Sequence, residues 1–315
     1  MTQARIAVLV PCYNEALTVG RVVAEFRKAL PGCAIYVYDN RSTDGTGDIA
    51  RAAGAQVRRE PRPGKGGVVR RMFAEIDADI YVMTDGDATY DATRAPEMVA
   101  MLAADDLDLV TGVRDDEGRD AAYRRGHRFG NRAFNALLGR LSGERPADMF
   151  SGYRVLSRRF VKSFPMEARG FEIETELTVH ALELRVPTAE IRTRYFERPA
   201  GSASKLSTYR DGFRILATMA RLFRDVKPLP FFSGVAALFA AVGLALGAGV
   251  TVEYMETGLV PRLPTAVLAT GLMLLASLSF ACGMILDSVA RGRRETKRLA
   301  YLSACRCTPV RRAGP

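Results

Sequence analysis

Asp85 and Asp87 stand one residue apart at the end of an apolar run, Ile80–Thr84. Two carboxylates so spaced can share a hard divalent cation that also binds phosphate oxygens. Alone, the pair is equally the mark of a turn capped by aspartates. Its context changes its weight, because other polar clusters also follow apolar runs. Pro11-Cys12-Tyr13-Asn14-Glu15 follows Ile6–Val10, Asp39 to Thr46 follows Ala34–Tyr38, and Gly112-Val113-Arg114 follows Leu107–Thr111. Pro63-Gly64-Lys65-Gly66-Gly67 adds glycines ahead of a helical pattern, where backbone N–H groups and the Lys65 ammonium would approach an anion.

These loops can meet only if the runs before them lie side by side. Strand patterns at Ile6–Val10, Ala34–Tyr38, Gln56–Arg58, Ile80–Thr84 and Leu107–Thr111 alternate with helical patterns at Glu15–Leu30, Thr46–Ala53, Gly67–Ile76 and Ala95–Ala104. That rhythm predicts an α/β domain with a Rossmann-like, mainly parallel sheet and helices on both faces. In such sheets ligands bind beyond the carboxyl ends of the strands, which is where the clusters fall.

The C-terminal third has a different character. No residue is charged from Phe231 to Val252 or from Leu263 to Leu286. At ~1.5 Å per residue each run crosses the ~30 Å hydrocarbon core as a helix. Arg221, Arg224 and Lys227 precede the first run, and Arg291, Arg293, Arg294, Lys297 and Arg298 follow the second, against a single Arg262 between them. The positive-inside rule then places both flanks and the N-terminal domain in the cytoplasm. Tyr209–Arg224 reads as a basic amphipathic helix lying in the membrane interface. The expected division is a catalytic domain at 1–206, the interfacial helix at 207–228, a transmembrane hairpin at 229–288 with spans near 231–252 and 263–286, and a basic cytoplasmic tail at 289–315.

Composition sets outer bounds. The 315 residues carry a net charge of +10, concentrated beside the spans as lipid anchoring requires, and no nucleic-acid motif accompanies it. The five cysteines (Cys12, Cys33, Cys282, Cys305 and Cys307) have the scatter of reduced thiols, not of a disulfide framework. Met1–Arg5 leads straight into a strand pattern, without the form of a secretory signal.

Val10-Pro11-Cys12-Tyr13-Asn14-Glu15, the Asp39…Ser42-Thr43-Asp44-Gly45-Thr46 run and Asp85-Gly86-Asp87 resemble the signature of glycosyltransferase family 2, with its GT-A fold. The chain has no Trp, so it lacks the Q-x-x-R-W motif of processive polysaccharide synthases. The spans and the segment from Arg198 to Lys205 make it similar to the polyprenyl-phosphate glycosyltransferases, relatives of dolichyl-phosphate mannose synthase. That resemblance implies inverting transfer of one sugar from a nucleotide sugar, a UDP-hexose ahead of GDP-mannose, to undecaprenyl or dolichyl phosphate at the cytoplasmic face of the inner or plasma membrane. The competing readings are another lipid or glycan acceptor, or a nucleotide-sugar-binding scaffold without turnover.

The resemblance also implies roles. Pro11, Tyr13, Glu15, Asp39, Asn40, Lys65, Asp85 and Gly86 would bind the donor, with Asn40 standing where many relatives have a second Asp. Asp85 and Asp87 would hold Mg²⁺ or Mn²⁺, and with Arg114 form the catalytic set. Arg114, Arg128, Arg132, Arg198, Ser202 and Lys205 would receive the lipid phosphate. Asp148, Arg154 and Glu174 complete the candidates: Ser151-Gly152-Tyr153-Arg154 resembles an acceptor-side loop, and Glu174 stands in a group of acids opening a helix. A homo-oligomer, a tetramer by resemblance, is the implied assembly.

Overall fold

The computed structural model describes residues 4–115, 147–165, 173–197, 220–221 and 223–304. The chain divides into two compact units, residues 1–212 with 297–315 and residues 213–296.

The first unit is built on a seven-stranded sheet. Its strands are β1 (Ile6–Cys12), β2 (Ala34–Asp39), β3 (Gln56–Arg59), β4 (Ile80–Met83), β5 (Leu109–Asp115), β6 (Arg154–Ser157) and β7 (Thr188–Arg194), in the order β3-β2-β1-β4-β6-β5-β7. The helices are α1 (Val19–Ala29), α2 (Thr46–Ala52), α3 (Lys65–Glu75), α4 (Ala95–Ala104), α5 (Arg158–Ser163) and α6 (Ile173–Leu184). β1 is covered on both faces, which explains its unbroken apolar run. Val8 and Val10 join one core with Val19, Val22 and Phe26 of α1, Ala50 of α2 and Met98 of α4. Ala7 and Leu9 join the other with Val69 and Phe73 of α3, Phe160 of α5 and Leu177 of α6.

The expected βαβ order holds through β4, with β1, β2, β3 and β4 in parallel register. The sheet then changes direction. β5 does not pair with β4; β6 lies between them, antiparallel to both, and β7 runs parallel to β5. β6 leaves little trace in the sequence because it is four residues long and wholly buried, giving no alternation to read. Its first residue, Arg154, belongs to the sheet although its motif reads as a loop.

The second unit contains most of an antiparallel pair of long helices, α7 (Pro228–Thr257) and α8 (Leu263–Ala304). Both are long and apolar enough to cross a membrane, their most apolar 18-residue stretches having mean hydropathies of 2.2 and 1.9. Gly258, at φ 67°, ends α7 in the left-handed conformation that glycine adopts without strain. Gly243 admits the backbone of Ala269 and the side chain of Leu272, and Gly283 admits Phe232, whose Cβ would lie 2.9 Å from an added methyl. Small residues thus let the helices approach closely, while Leu238, Leu244, Leu268 and Leu274 stay exposed. The expected interfacial helix falls largely outside the described residues.

The last turns of α8 belong to the first unit, and residues 289–304 are helical. Lys297 pairs with Glu183 of α6, and the Tyr301 hydroxyl donates to Asp108 Oδ2 at 2.7 Å. Asp108 is fully buried and also accepts from Ser157 and Arg159. Removing one donor from a buried carboxylate costs about 1–3 kcal/mol. Tyr301→Phe is therefore expected to lower the thermal midpoint of the detergent-solubilised chain by several degrees; an unchanged midpoint would mean that this helix end adds nothing to the unit's stability.

Candidate active site

The carboxyl ends of β1, β2 and β4 bring their loops together, and hydrogen bonds between the loops fix them. The Asn14 N–H donates to Ser42 Oγ at 2.9 Å, and Asn14 Oδ1 accepts the Thr43 N–H at 2.9 Å. The Glu15 N–H donates to Thr46 Oγ1 at 2.8 Å, and the Ala16 N–H to Asp44 Oδ2 at 3.0 Å. Burial opposes the Asp44 charge, but hydrogen bonds from Thr46 and from the Ala16 N–H hold its pKa below the usual carboxylate range. Asn14, at φ 54°, supplies the left-handed turn that aims this loop, a conformation asparagine tolerates better than most residues. Thr18 Oγ1 donates to the Gly86 carbonyl at 2.6 Å, tying the first loop to the third.

Asn40 shows what an amide does at its position. Its Nδ2 donates to the carbonyls of Glu60 and Arg62, and its Oδ1 accepts the Gly64 N–H at 2.9 Å. A carboxylate could not donate those two bonds. Asn40 therefore holds the segment leading into α3, and through it the start of the helix. Gly64, at φ 114°, makes the turn, and Lys65 is the first residue of α3, earlier than the expected start at Gly67.

From there the Lys65 ammonium donates to Asp85 Oδ1 and to Glu174 Oε1 on α6. Burial would depress its pKa; the charges of Asp85 and Glu174 outweigh that and hold it well above the ordinary value. A second pair, Arg70 with Glu176, joins the same two helices. Glu174, a candidate from the acids opening α6, thus reaches Lys65, a contact that only the packing of α6 against α3 could reveal.

Asp87 is 3% exposed, and its Oδ1 accepts from the Thr89 N–H and hydroxyl. Four carboxylates of these loops and strand ends act electrostatically on one buried thiol. Burial raises the Cys12 thiol pKa, and the charges of Glu15, Asp85, Asp39 and Asp87 raise it further. Cys12 is a neutral filler beneath the acidic cluster, and a Cβ on Gly86 would come within 2.5 Å of its sulfur.

The other wall is formed by the residues around Gly152. Arg114 grips Asp148 through two bonds, Nε to Oδ2 at 2.6 Å and Nη2 to Oδ1 at 2.9 Å, with the guanidinium 5.5 Å from the Tyr195 ring centre. Although burial opposes its charge, the pairing raises the Arg114 pKa. Tyr90, absent from the sequence expectations, stacks near Tyr153 and Tyr195 and accepts the Gly152 N–H at 2.8 Å. Burial and then the Asp85 charge raise its phenol pKa. Arg154 is fully buried and donates to the carbonyls of Ser151 and Met149 and to Thr178 Oγ1. Burial lowers its pKa, with Glu174 and Asp148 opposing, and its Nη1 has no partner among the described residues. It braces this loop from behind and presents no charge to solvent.

Tyr13, 46% exposed, projects from the first loop. Arg128 and Arg132, like Arg198, Ser202 and Lys205, lie outside the described residues. His180 is buried between Phe160 and Phe164, its pKa pushed down to about 3 by burial, and it serves packing.

Whether this arrangement fits a divalent cation is answered by its donors. Asp85 offers a partly exposed carboxylate that already holds a cationic group, Asp87 offers a buried one, and the Cys12 sulfur is buried. No group of three or more His, Cys, Asp or Glu assembles among the described residues. Asp85 and Asp87 would thus hold Mg²⁺ or Mn²⁺ as a partial shell completed by water and phosphate oxygens, the habit of ions that dehydrate reluctantly. The residues fit.

Gly152 packs closely against the carboxylate pair: an added Cβ would lie 2.6 Å from Asp85 Oδ2. Gly152→Ala is expected to displace that carboxylate and reduce turnover by about a hundredfold, the scale for misplacement by ~1 Å, while the circular dichroism spectrum is retained. Near-native turnover would show that the position of Asp85 is not critical.

A family model described as "Glycosyl transferase family 2" matches residues 7–164. "Glycosyltransferase AglJ" of Haloferax volcanii is 33% identical over 304 residues, covering 96% of this chain and 99% of that protein. "Dolichyl-phosphate hexose transferase" of the same organism is 30% identical over 210 residues, 67% of this chain and 90% of that one. A crystal structure of glucosyl-3-phosphoglycerate synthase from Mycobacterium tuberculosis, in complex with Mn²⁺, UDP-glucose and phosphoglyceric acid, matches with a TM-score of 0.54 and 25% identity over 70% of this chain and 79% of that one.

Proposed function

For a chain that belongs to glycosyltransferase family 2, we propose inverting transfer of one sugar from a nucleoside diphosphate to a polyprenyl phosphate at the cytoplasmic face of a membrane. The donor half rests on the acidic cluster with Lys65, and on a structural relative that binds Mn²⁺ and UDP-glucose. The acceptor half is carried by one observation: the same chain holds two helices long and apolar enough to cross a bilayer. A relative named for dolichyl phosphate supports it. UDP-hexose is the preferred donor in this reading, and the basic flanks of α7 and α8 put both chain ends in the cytoplasm.

The chemistry follows from the groups present. An oxygen of the acceptor phosphate attacks the sugar C1 as the bond from C1 to the diphosphate oxygen breaks, so the anomeric configuration inverts. The acceptor's second pKa is ~6, so it is largely ionised and needs no general base. Asp85 and Asp87 hold the cation, which when bound stabilises charge on the departing diphosphate. Lys65, first in α3, adds its ammonium and the helix N-terminus on the same side. Tyr13 and Asp39 stand by the base and ribose. Arg114, with Arg128, Arg132, Arg198, Ser202 and Lys205, meets the lipid phosphate.

The test is to incubate the purified full chain with undecaprenyl phosphate and a panel of nucleotide sugars, measuring nucleoside diphosphate release and glycolipid. Release that requires the lipid phosphate supports the reading; turnover onto phosphoglyceric acid with no lipid requirement overturns its acceptor half. Asp87→Asn, or EDTA with the unaltered chain, is expected to reduce release by at least about a hundredfold, as loss of a principal electrostatic stabiliser does. Undiminished release in EDTA would overturn the metal assignment. A C-terminal reporter is expected to be labelled only from the cytoplasmic side; labelling from the opposite side would overturn the topology.

A further inference from the structure

Lys65 satisfies two carboxylates of unequal standing. Asp85 Oδ1 belongs to the pair assigned to the cation, and its side chain is 27% exposed. Glu174, on α6, is 8% exposed at its side chain and stands outside that pair. One ammonium is shared between them. A lysine ammonium is a compact point charge with rotatable donors on a flexible stem, so it can exchange one acceptor while keeping the other. A buried carboxylate loses much more on being left unpaired than a partly hydrated one. Glu174 is therefore the acceptor that Lys65 keeps, and Asp85 the one it gives up.

The geometry points to Lys65 as a built-in placeholder cation: it neutralises Asp85 while the donor site is empty and passes to the donor diphosphate when Asp85 takes up a divalent cation, with Glu174 as the tether that keeps it in reach. The inference rests on the metal and donor reading above and adds an order of events. Divalent cation alone must compete with Lys65 for Asp85 and binds weakly. Cation together with nucleoside diphosphate binds well, because the diphosphate gives Lys65 a new anion. The site is thereby protected from holding a metal without a donor. Glu174, a candidate site residue in the sequence, becomes a positioning residue for donor binding.

The experiment uses the full chain in detergent, with Mn²⁺ alone followed by electron paramagnetic resonance, and UDP or GDP with Mn²⁺ followed by calorimetry. Lys65→Met is expected to tighten Mn²⁺ binding in the absence of nucleotide by about tenfold, the scale of one charge-assisted contact, and to weaken nucleoside diphosphate binding by a similar factor. Arg70→Met removes a charge from the same helix but from the Glu176 pair, and is expected to change Mn²⁺ affinity by less than about threefold, because a charge not bound to Asp85 acts only through a screened field. Should Lys65→Met fold poorly with Glu174 left unpaired, the double variant Lys65→Met/Glu174→Gln is compared with Glu174→Gln alone, and the same tightening is expected. If Mn²⁺ binds with nucleotide but removal of Lys65 leaves metal-only affinity unchanged or weaker, Lys65 is a fixed strut and the placeholder role is overturned while the donor reading stands. If Arg70→Met tightens Mn²⁺ as much as Lys65→Met does, the effect is general charge and the role is likewise overturned. If no variant binds Mn²⁺ even with nucleotide, the metal reading itself fails and the inference with it.

Discussion

Carboxylates crowd the carboxyl edge of this sheet, and their mutual repulsion is the constraint that the rest of the domain answers. Glu15, Asp39, Asp85 and Asp87 all act on the buried sulfur of Cys12. Like charges this close destabilise one another unless cations or N–H donors meet them. Lys65 is the cation held against Asp85, and it reaches there because Asn40 pins the turn before α3 and Glu174 draws the ammonium from the far side. Asp39, Asp44 and Asp87 are met instead by backbone N–H and threonine hydroxyl groups. Neutralisation is local and specific.

The two walls of the site use different devices. On the β1–β2 side, short polar side chains cross-link two loops through their backbones, so the loops hold one shape before any ligand arrives. On the β5–β6 side, shape comes from a buried guanidinium. Arg154, without an ion pair among the described residues, directs its donors at the carbonyls of Met149 and Ser151 and so fixes the turn that carries Gly152 against Asp85. Asp148 fixes Arg114 through a fork that a lysine could not reproduce. A charge bound this firmly contributes orientation as well as field.

The apolar helices present a surface suited to another solvent. Their contact includes Gly243 and Gly283, where side chains are small, and Leu238, Leu244, Leu268 and Leu274 face outward. In water that arrangement would be unfavourable; in hydrocarbon the outward leucines cost nothing and close packing supplies the association.

The sequence by itself determined what periodicity and composition can carry. The parallel strands β1 to β4, the loops that follow them, the carboxylate pair and the two long apolar helices were all legible, because each is a local pattern whose burial or charge repeats along the chain. What only the tertiary structure decided is which distant residues share a volume. Glu174 and Lys65 are 109 positions apart, and nothing local distinguishes Glu174 from an acid stabilising a helix start. β6 is too short and too buried to show a period, so Arg154 reads as a ligand-facing arginine when the sheet in fact encloses it. Tyr90 and Gly152 matter through a single approach to Asp85 from a neighbouring segment. Pairings across the fold are set by how helices and strands pack, and packing depends on shape and volume summed over many residues, a quantity no short stretch of sequence contains.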